Sequence, residues 1–206
     1  AIQRLKAENT FILNKEKPLP QLIGSLAIIS VETSNGWRDF SQTIEESKYA
    51  NQIERKLFPA KLQGDAAVIS ITIALQKISL LHEQFDAVAI IRGGGGDIGM
   101  DCYDSFDLAK TVAAFPIPVL TGIGHSTNLT VVEMCGHQNL ITPTALAQFV
   151  IDGYVDFGQR LARDNARKRS RCANPKMQTT QPYFSHAFQD DLLHAAFTFI
   201  YATRRT

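Results

Sequence analysis

The sequence predicts an α/β fold: a doubly wound, mostly parallel sheet of about four to five strands with flanking helices, followed by a helical C-terminal segment. Short apolar runs rich in β-branched residues alternate along the chain with longer segments of helical periodicity. The strongest of these runs are uniformly apolar, which is typical of strands covered on both faces. Strands that alternate with helices favour one parallel sheet with right-handed crossovers.

Composition limits the classes of function. The chain has 206 residues, 45% of them apolar, and a formal charge of +1. A near-neutral charge argues against binding nucleic acid through an overall basic field, although it allows a local basic groove. The three cysteines lack Cys-x-x-Cys spacing, which favours reduced thiols. With no signal peptide and no apolar run of about 18 to 20 residues, we expect a cytoplasmic protein without membrane contact.

The sequence suggests three regions. Residues 1–25 predict a connector, because Pro18 and Pro20 stand close together and resist both a helix and a central strand. Residues 26–153 are expected to form the α/β catalytic core. Residues 154–206 are expected to form the helical C-terminal segment.

The first half of the core contains two predicted strands and two predicted helices. Leu26–Val31 is an apolar, β-branched strand, and a helix from about Trp37 to Lys48 follows polar residues that can cap it. A weaker strand, Arg55–Pro59, precedes a long helical pattern from Ala66 to His82.

The second half of the core continues the alternation. Its predicted elements are a strand Asp86–Ile91, a helix from about Tyr103 to Phe115, a strand Ile117–Thr121, a helical stretch to about Met134, an apolar piece Leu140–Ile141, and a helix that starts at Thr142–Ala145. Pro143 suits the first turn of this last helix, since proline has no N–H to leave unpaired there.

Polar or glycine-rich segments follow every predicted strand of the core. They are residues 33–39, 61–64, 92–96 and 122–128. Ligands of parallel sheets bind outside the carboxyl ends of the strands. We therefore expect all candidate functional residues to lie along one edge of the sheet.

Four consecutive glycines, Gly93–Gly96, directly follow the third strand. They allow the backbone to approach a ligand, so that several amide hydrogens point at one anion. The run matches neither Gly-x-Gly-x-x-Gly nor the phosphate loop, and a plain flexible turn is the alternative. Arg92 favours the anion site, because a guanidinium at the end of a buried strand needs a carboxylate or phosphate to offset its desolvation.

His125 and Asp39 are the other candidate catalytic side chains on this edge. His125 follows Gly-Ile-Gly and precedes a helix, where the helix N-terminus favours bound anions. A histidine side chain generally titrates near neutrality and can transfer a proton to or from a phosphodiester oxygen, although a single histidine also fits a structural role. Asp39 near the start of a helix equally fits a role in helix electrostatics.

The carboxylates on this edge are too few for a tight metal site. Two-metal hydrolysis needs several convergent carboxylates, whereas the edge offers Asp39 and, at a second place, Asn128. We therefore predict that no metal is required, and one weakly held Mg²⁺ is the alternative.

At these residues the chain resembles the large subunit of exodeoxyribonuclease VII. The Arg-Gly-Gly-Gly and Gly-x-Gly-His motifs, at this separation and followed by Thr-Pro-Thr-Ala, are specific in combination. The matching segments, which span roughly Lys6 to Ile151, are Lys17–Pro20, Arg38–Phe40, Phe58–Ala60, Gln63–Gly64, Arg92–Gly95, Pro116–Val119, Gly122–His125 and Thr142–Ala145.

The resemblance implies a bacterial enzyme that degrades single-stranded DNA from either end and releases oligonucleotides, without strict dependence on a metal. It also implies an oligomer that contains many copies of a small helical subunit. Catalytic roles carry over to Asp39, Arg92 and His125, and to Asn128, which replaces the family's aspartate and cannot carry its charge. Gly96 stands where the family has serine. The residues expected to contact phosphate or DNA are Gly93, Gly94, Gly95, Gly96, Gly124, Thr127 and Thr142.

Members of this family also have an N-terminal oligonucleotide-binding barrel and a long C-terminal helical part that holds the small subunits. Neither is recognisable in this sequence. We therefore expect the catalytic core together with the start of the helical arm, from Tyr154.

These residues suggest metal-independent hydrolysis. Arg92, the glycine-loop amides and the helix after His125 would bind the scissile phosphate and stabilise its growing charge. His125 would exchange the proton while Asp39 orients the imidazole or the water, and Asn128 would supply a neutral hydrogen bond. A different doubly wound enzyme acting on a nucleotide or sugar phosphate, and a non-catalytic single-strand-binding module, are the two alternatives.

Overall fold

The structure is a computed structural model that describes residues 1–93, 99–124 and 129–172, with only the backbone of residues 169–172. Five strands form one parallel sheet in the order β2-β1-β3-β4-β5. The strands are β1 Ser25–Ser30, β2 Glu54–Pro59, β3 Ala87–Ile91, β4 Val119–Gly122 and β5 Gln138–Asn139. This architecture confirms the predicted α/β class with flanking helices.

The helices alternate with the strands. They are α1 Ile2–Ala7, α2 Asn35–Glu45, α3 Ala66–Ser79, α4 Phe106–Ala113, α5 Val131–Cys135 and α6 Pro143–Cys172, with short 3-10 turns at Ala50–Gln52, His82–Gln84 and Asp101–Asp104. The chain divides into two compact units after Ile151, and the first unit holds the whole sheet. No helix in residues 1–93, 99–124 or 129–172 is long and apolar enough to cross a membrane.

The sheet has a different set of helices on each face. The crossover from β1 to β2 runs in the opposite direction to the others, so right-handed connections put α2 on one face and α3, α4 and α5 on the other. Alternate strand residues such as Ile29 and Ile90 pack with the second set of helices. Phe40 and Ile44 of α2 are buried outside that cluster.

The N-terminal residues pack against the first unit. Leu5 of α1 is fully buried, and so is Asn14. The Asn14 side chain donates to the carbonyls of Phe115 and Ile117 and accepts from Val119 N, at the start of β4. Residues 1–25, which we predicted as a connector, therefore contribute both a helix and a tether to the sheet.

Several helix ends differ from the predicted ones, and capping explains two of them. Helix α2 begins at Asn35 rather than at the predicted Trp37, because Ser34 Oγ caps it by accepting from Trp37 N. The fourth begins at Phe106 rather than Tyr103, because Ser105 caps it and the preceding turn is 3-10. In α3, Ile69 and Ile73 are exposed, while Ala67, Ile71 and Ala74 face the core.

Candidate functional site

The strand order places a crevice at the carboxyl ends of β1 and β3. In a sheet of order 2-1-3-4-5 the connections from β1 and β3 leave towards opposite faces, and a ligand site forms between them. Here a hollow of about 320 Å³ lies at that point. Its lining includes Val31, Ser34, Lys61, Gln63, Arg92 and Gly93.

Two glycines join the loops on either side of the crevice. A Cβ atom on Gly36 would lie 2.5 Å from Gly93 N, and one on Gly93 would overlap the Gly36 backbone. The first turn of α2 therefore rests directly on the segment that follows β3, and only glycine fits at both positions. Ser30 strengthens this junction, because its Oγ donates to Ile91 O at 2.8 Å and lies 3.2 Å from Ser34 Oγ.

Arg92 is held at the wall of the hollow. It is only 3% exposed. With the Gln63 amide oxygen turned towards the guanidinium, Oε1 accepts from Nη2 at 2.8 Å and from Nε at 3.2 Å. Nη1 donates to the sulfur of Met100. These two contacts orient the guanidinium at the wall of the hollow, and its planar fork suits a bidentate contact with an anion.

The turn after β4 reaches the same place. Arg92 N donates to Gly122 O at 3.1 Å. Gly124 has φ +82°, and a Cβ atom there would lie 3.8 Å from both Arg92 O and Ile141 O. The residue directly before His125 is thus a neighbour of Arg92. His125, Thr127, Asn128 and the glycines 94–96 lie outside the described residues.

Asp39 lies on α2 and Thr142 directly before α6, both at this edge. Asp39 is exposed, one helical turn beyond the Gly36–Gly93 contact, which puts it about 5–6 Å from Gly36 between Cβ positions. Its carboxylate makes no hydrogen bond or ion pair to the described residues. Thr142 caps α6, since its Oγ1 accepts from Ala145 N at 3.0 Å. The structure therefore brings Arg92, Gly93 and Gly124 together, with Asp39 one turn away.

The sequence does not mark Gln63 or Met100 as a neighbour of Arg92. Gln63 is part of a motif and of the polar segment 61–64, and Met100 belongs to no motif. A neutral amide or a thioether has no sequence signal that marks it as a partner of an arginine. The position of residues 61–64 after β2, on the predicted edge, was the one available indication.

Cys102, a described residue close to Arg92, is not activated as a nucleophile. Burial raises the pKa of the Cys102 thiol, although the charge of Arg92 opposes this, so the thiol stays protonated and weakly nucleophilic at neutral pH. In the described parts of the chain, no three His, Cys, Asp or Glu side chains are grouped so that they could hold a metal ion. A guanidinium at the wall of a hollow is suited to binding a phosphate.

Comparison with known proteins assigns the chain to a family. The profile of the family described as exonuclease VII, large subunit, matches residues 10–196. The exodeoxyribonuclease 7 large subunit of Shouchella clausii is 33% identical over 71% of this chain and 31% of its own length. The proteins of the same name from Azotobacter vinelandii and Lactiplantibacillus plantarum are 31% and 30% identical, over 77% and 87% of this chain. The chain spans 34% and 42% of their respective lengths.

Proposed function

Since the chain belongs to the exonuclease VII large-subunit family, we propose that it is the catalytic core of an enzyme that hydrolyses phosphodiester bonds of single-stranded DNA and releases oligonucleotides. The observation that carries this proposal is Arg92, a buried guanidinium that Gln63 and Met100 orient at the switch point of the sheet. The oxygens of a phosphodiester suit the planar fork of a guanidinium. Because of the family, we take this phosphodiester to be part of single-stranded DNA.

In the proposed mechanism Arg92 and the amides of Gly93–Gly96 bind the non-bridging oxygens and stabilise the charge that grows on them. His125 exchanges a proton with the water or the leaving oxygen. The position of Gly124 beside Arg92 supports placing His125 at the same phosphate. Asp39 orients the imidazole or the water. Asn128 donates a neutral hydrogen bond, and Thr127 and Thr142 contact the strand.

We propose that this hydrolysis does not require a metal, with a weakly held Mg²⁺ as an accessory at most. The carboxylate of Asp39 alone cannot organise two ions. The assembly would include the small helical subunit of exonuclease VII, in an oligomer of the full-length protein. Cysteine usage favours the cytoplasm as its compartment.

Asn128 favours a second candidate function, a non-catalytic module that binds single strands. An asparagine cannot take the charge that the resemblance implies at this position, and the chain as a whole is nearly neutral. Such a module would bind DNA in a salt-sensitive way and would not cleave it.

The test is incubation of the purified protein with end-labelled single-stranded DNA in EDTA and then in Mg²⁺. Cleavage in EDTA supports the proposal, cleavage only in Mg²⁺ overturns its metal-independent form, and salt-sensitive binding without cleavage favours the second candidate. Tight binding of a mononucleotide would point instead to another phosphate-handling enzyme. His125→Ala should abolish cleavage. His82→Ala is the matched control. His82 follows the end of α3, and its Nδ1 lies 2.8 Å from Ser79 O.

A further inference from the structure

A second hollow adjoins the one at Arg92. Its volume is about 420 Å³, and it lies at the carboxyl ends of β1 and β2. The two hollows share Val31 and Lys61. They therefore follow one another along the edge of the sheet, with Lys61 between them.

The backbone around Lys61 is anchored on both sides. Lys61 N donates to Ser70 Oγ of α3 at 2.8 Å, and Ala60 N donates to Ser30 O of β1 at 3.0 Å. The residue itself is exposed. The Lys61 backbone is therefore held in place while its side chain is flexible. A flexible ammonium group can keep contact with a phosphate that changes position as a strand moves.

The lining of the second hollow fits a nucleotide better than a bare anion. Pro59, Ala60 and Val31 offer apolar surface for a sugar or base, and Thr33 and Ser70 carry hydroxyl groups. Glu32 also lines this hollow and disfavours a phosphate on its side. The phosphate is therefore expected at the Lys61 side, next to the hollow of Arg92.

We propose that the second hollow is the subsite for the nucleotide that adjoins the scissile phosphate, and that Lys61 binds the phosphate of that nucleotide. This inference rests on the proposed function, which puts the scissile phosphate at Arg92. A single strand bound there extends from the hollow in two directions. Its successive phosphates repel one another, and a cation between them reduces this repulsion. Lys61 lies where a strand that passes towards β2 would bring its next phosphate.

The test compares Lys61→Ala and Lys61→Arg with the wild-type protein. The probes are a twelve-nucleotide thymidine strand and the thymidine dinucleotide, which has a single internucleotide linkage; both carry phosphorothioate linkages, which keep the charge and resist cleavage. Lys61→Ala should weaken binding of the long strand about tenfold, lower its salt slope by about 0.7 and leave the dinucleotide unaffected. Lys61→Arg should bind as the wild type does. Lys77→Ala, an exposed lysine in the last turn of α3, is the control and should change nothing.

Equal affinity of the wild type and Lys61→Ala for the long strand would overturn the subsite, and so would an equal loss on both probes. Cleavage assays separate this failure from that of the proposed function. If the wild type cleaves no DNA, the proposed function fails, and the subsite is then decided by the binding of the two probes alone.

Discussion

Asn14 and Asp86 at the amino end of the sheet and Arg92 at its carboxyl end are all buried, but these three side chains have different kinds of partner. At the amino end, Asn14 bonds two carbonyls and one N–H of the backbone, and Asp86 Oδ2 accepts from Gly24 N and Ser25 N. At the carboxyl end, Arg92 is held by the side chains of Gln63 and Met100 at the wall of a hollow. Polar groups that join backbone segments stabilise the fold, whereas those that line a hollow are placed for a ligand.

The largest effect predicted by this comparison concerns Arg92→Gln. Removing the guanidinium should lower the rate of DNA cleavage about 10²- to 10³-fold, since one charge-stabilising donor is lost at the phosphate. The free energy of unfolding should change little. Steady-state cleavage and urea unfolding check the two halves of the prediction. A variant that is mainly unstable, and as active as the wild type when folded, would contradict the distinction between the two ends.

Asn14→Ala should show the opposite pattern. The change removes the hydrogen-bond partner of Val119 N and of the carbonyls of Phe115 and Ile117. The Asn14 side chain that makes these bonds is 0% exposed. We expect the free energy of unfolding to fall by about 2–4 kcal/mol, while cleavage per folded molecule stays unchanged. Urea unfolding measures the loss.

The matched control for Asn14 is Asn51→Ala, because Asn51 is exposed in a 3-10 turn and should tolerate the change. Equal stability of both variants would show that the tether at β4 contributes nothing.

The smallest effect is predicted for Gln63. Gln63→Glu keeps the size of the side chain but puts a carboxylate against Arg92, so it should weaken binding of single-stranded DNA by about tenfold. Gln63→Ala should cost only a few-fold, since it loosens the guanidinium without neutralising it. Fluorescence anisotropy at fixed salt, with a phosphorothioate strand that resists cleavage, measures both affinities.

Gln76→Glu, an exposed change on α3, controls for the added negative charge. If it weakened binding as much as Gln63→Glu, the effect would come from net charge and not from the contact with Arg92.

Much of the fold follows from the sequence, because a strand covered on both faces must be uniformly apolar. Ala87–Ile91 is buried along its whole length, and its predicted position differs from the observed one by a single residue. Helix ends were predicted less well. A helix begins directly after the residue that caps it, such as Ser34 or Ser105. Which residue does so depends on contacts with the surrounding structure.

By itself the sequence determined the alternation of strands and helices, and with it the edge of the sheet on which Arg92 and the glycine motifs lie. The order of the strands, the contact of Gly36 with Gly93 and the contact of Gln63 with Arg92 were decided by the tertiary structure. These contacts join residues far apart in the chain. Local periodicity reflects only which face of an element is buried, and not which other element covers it.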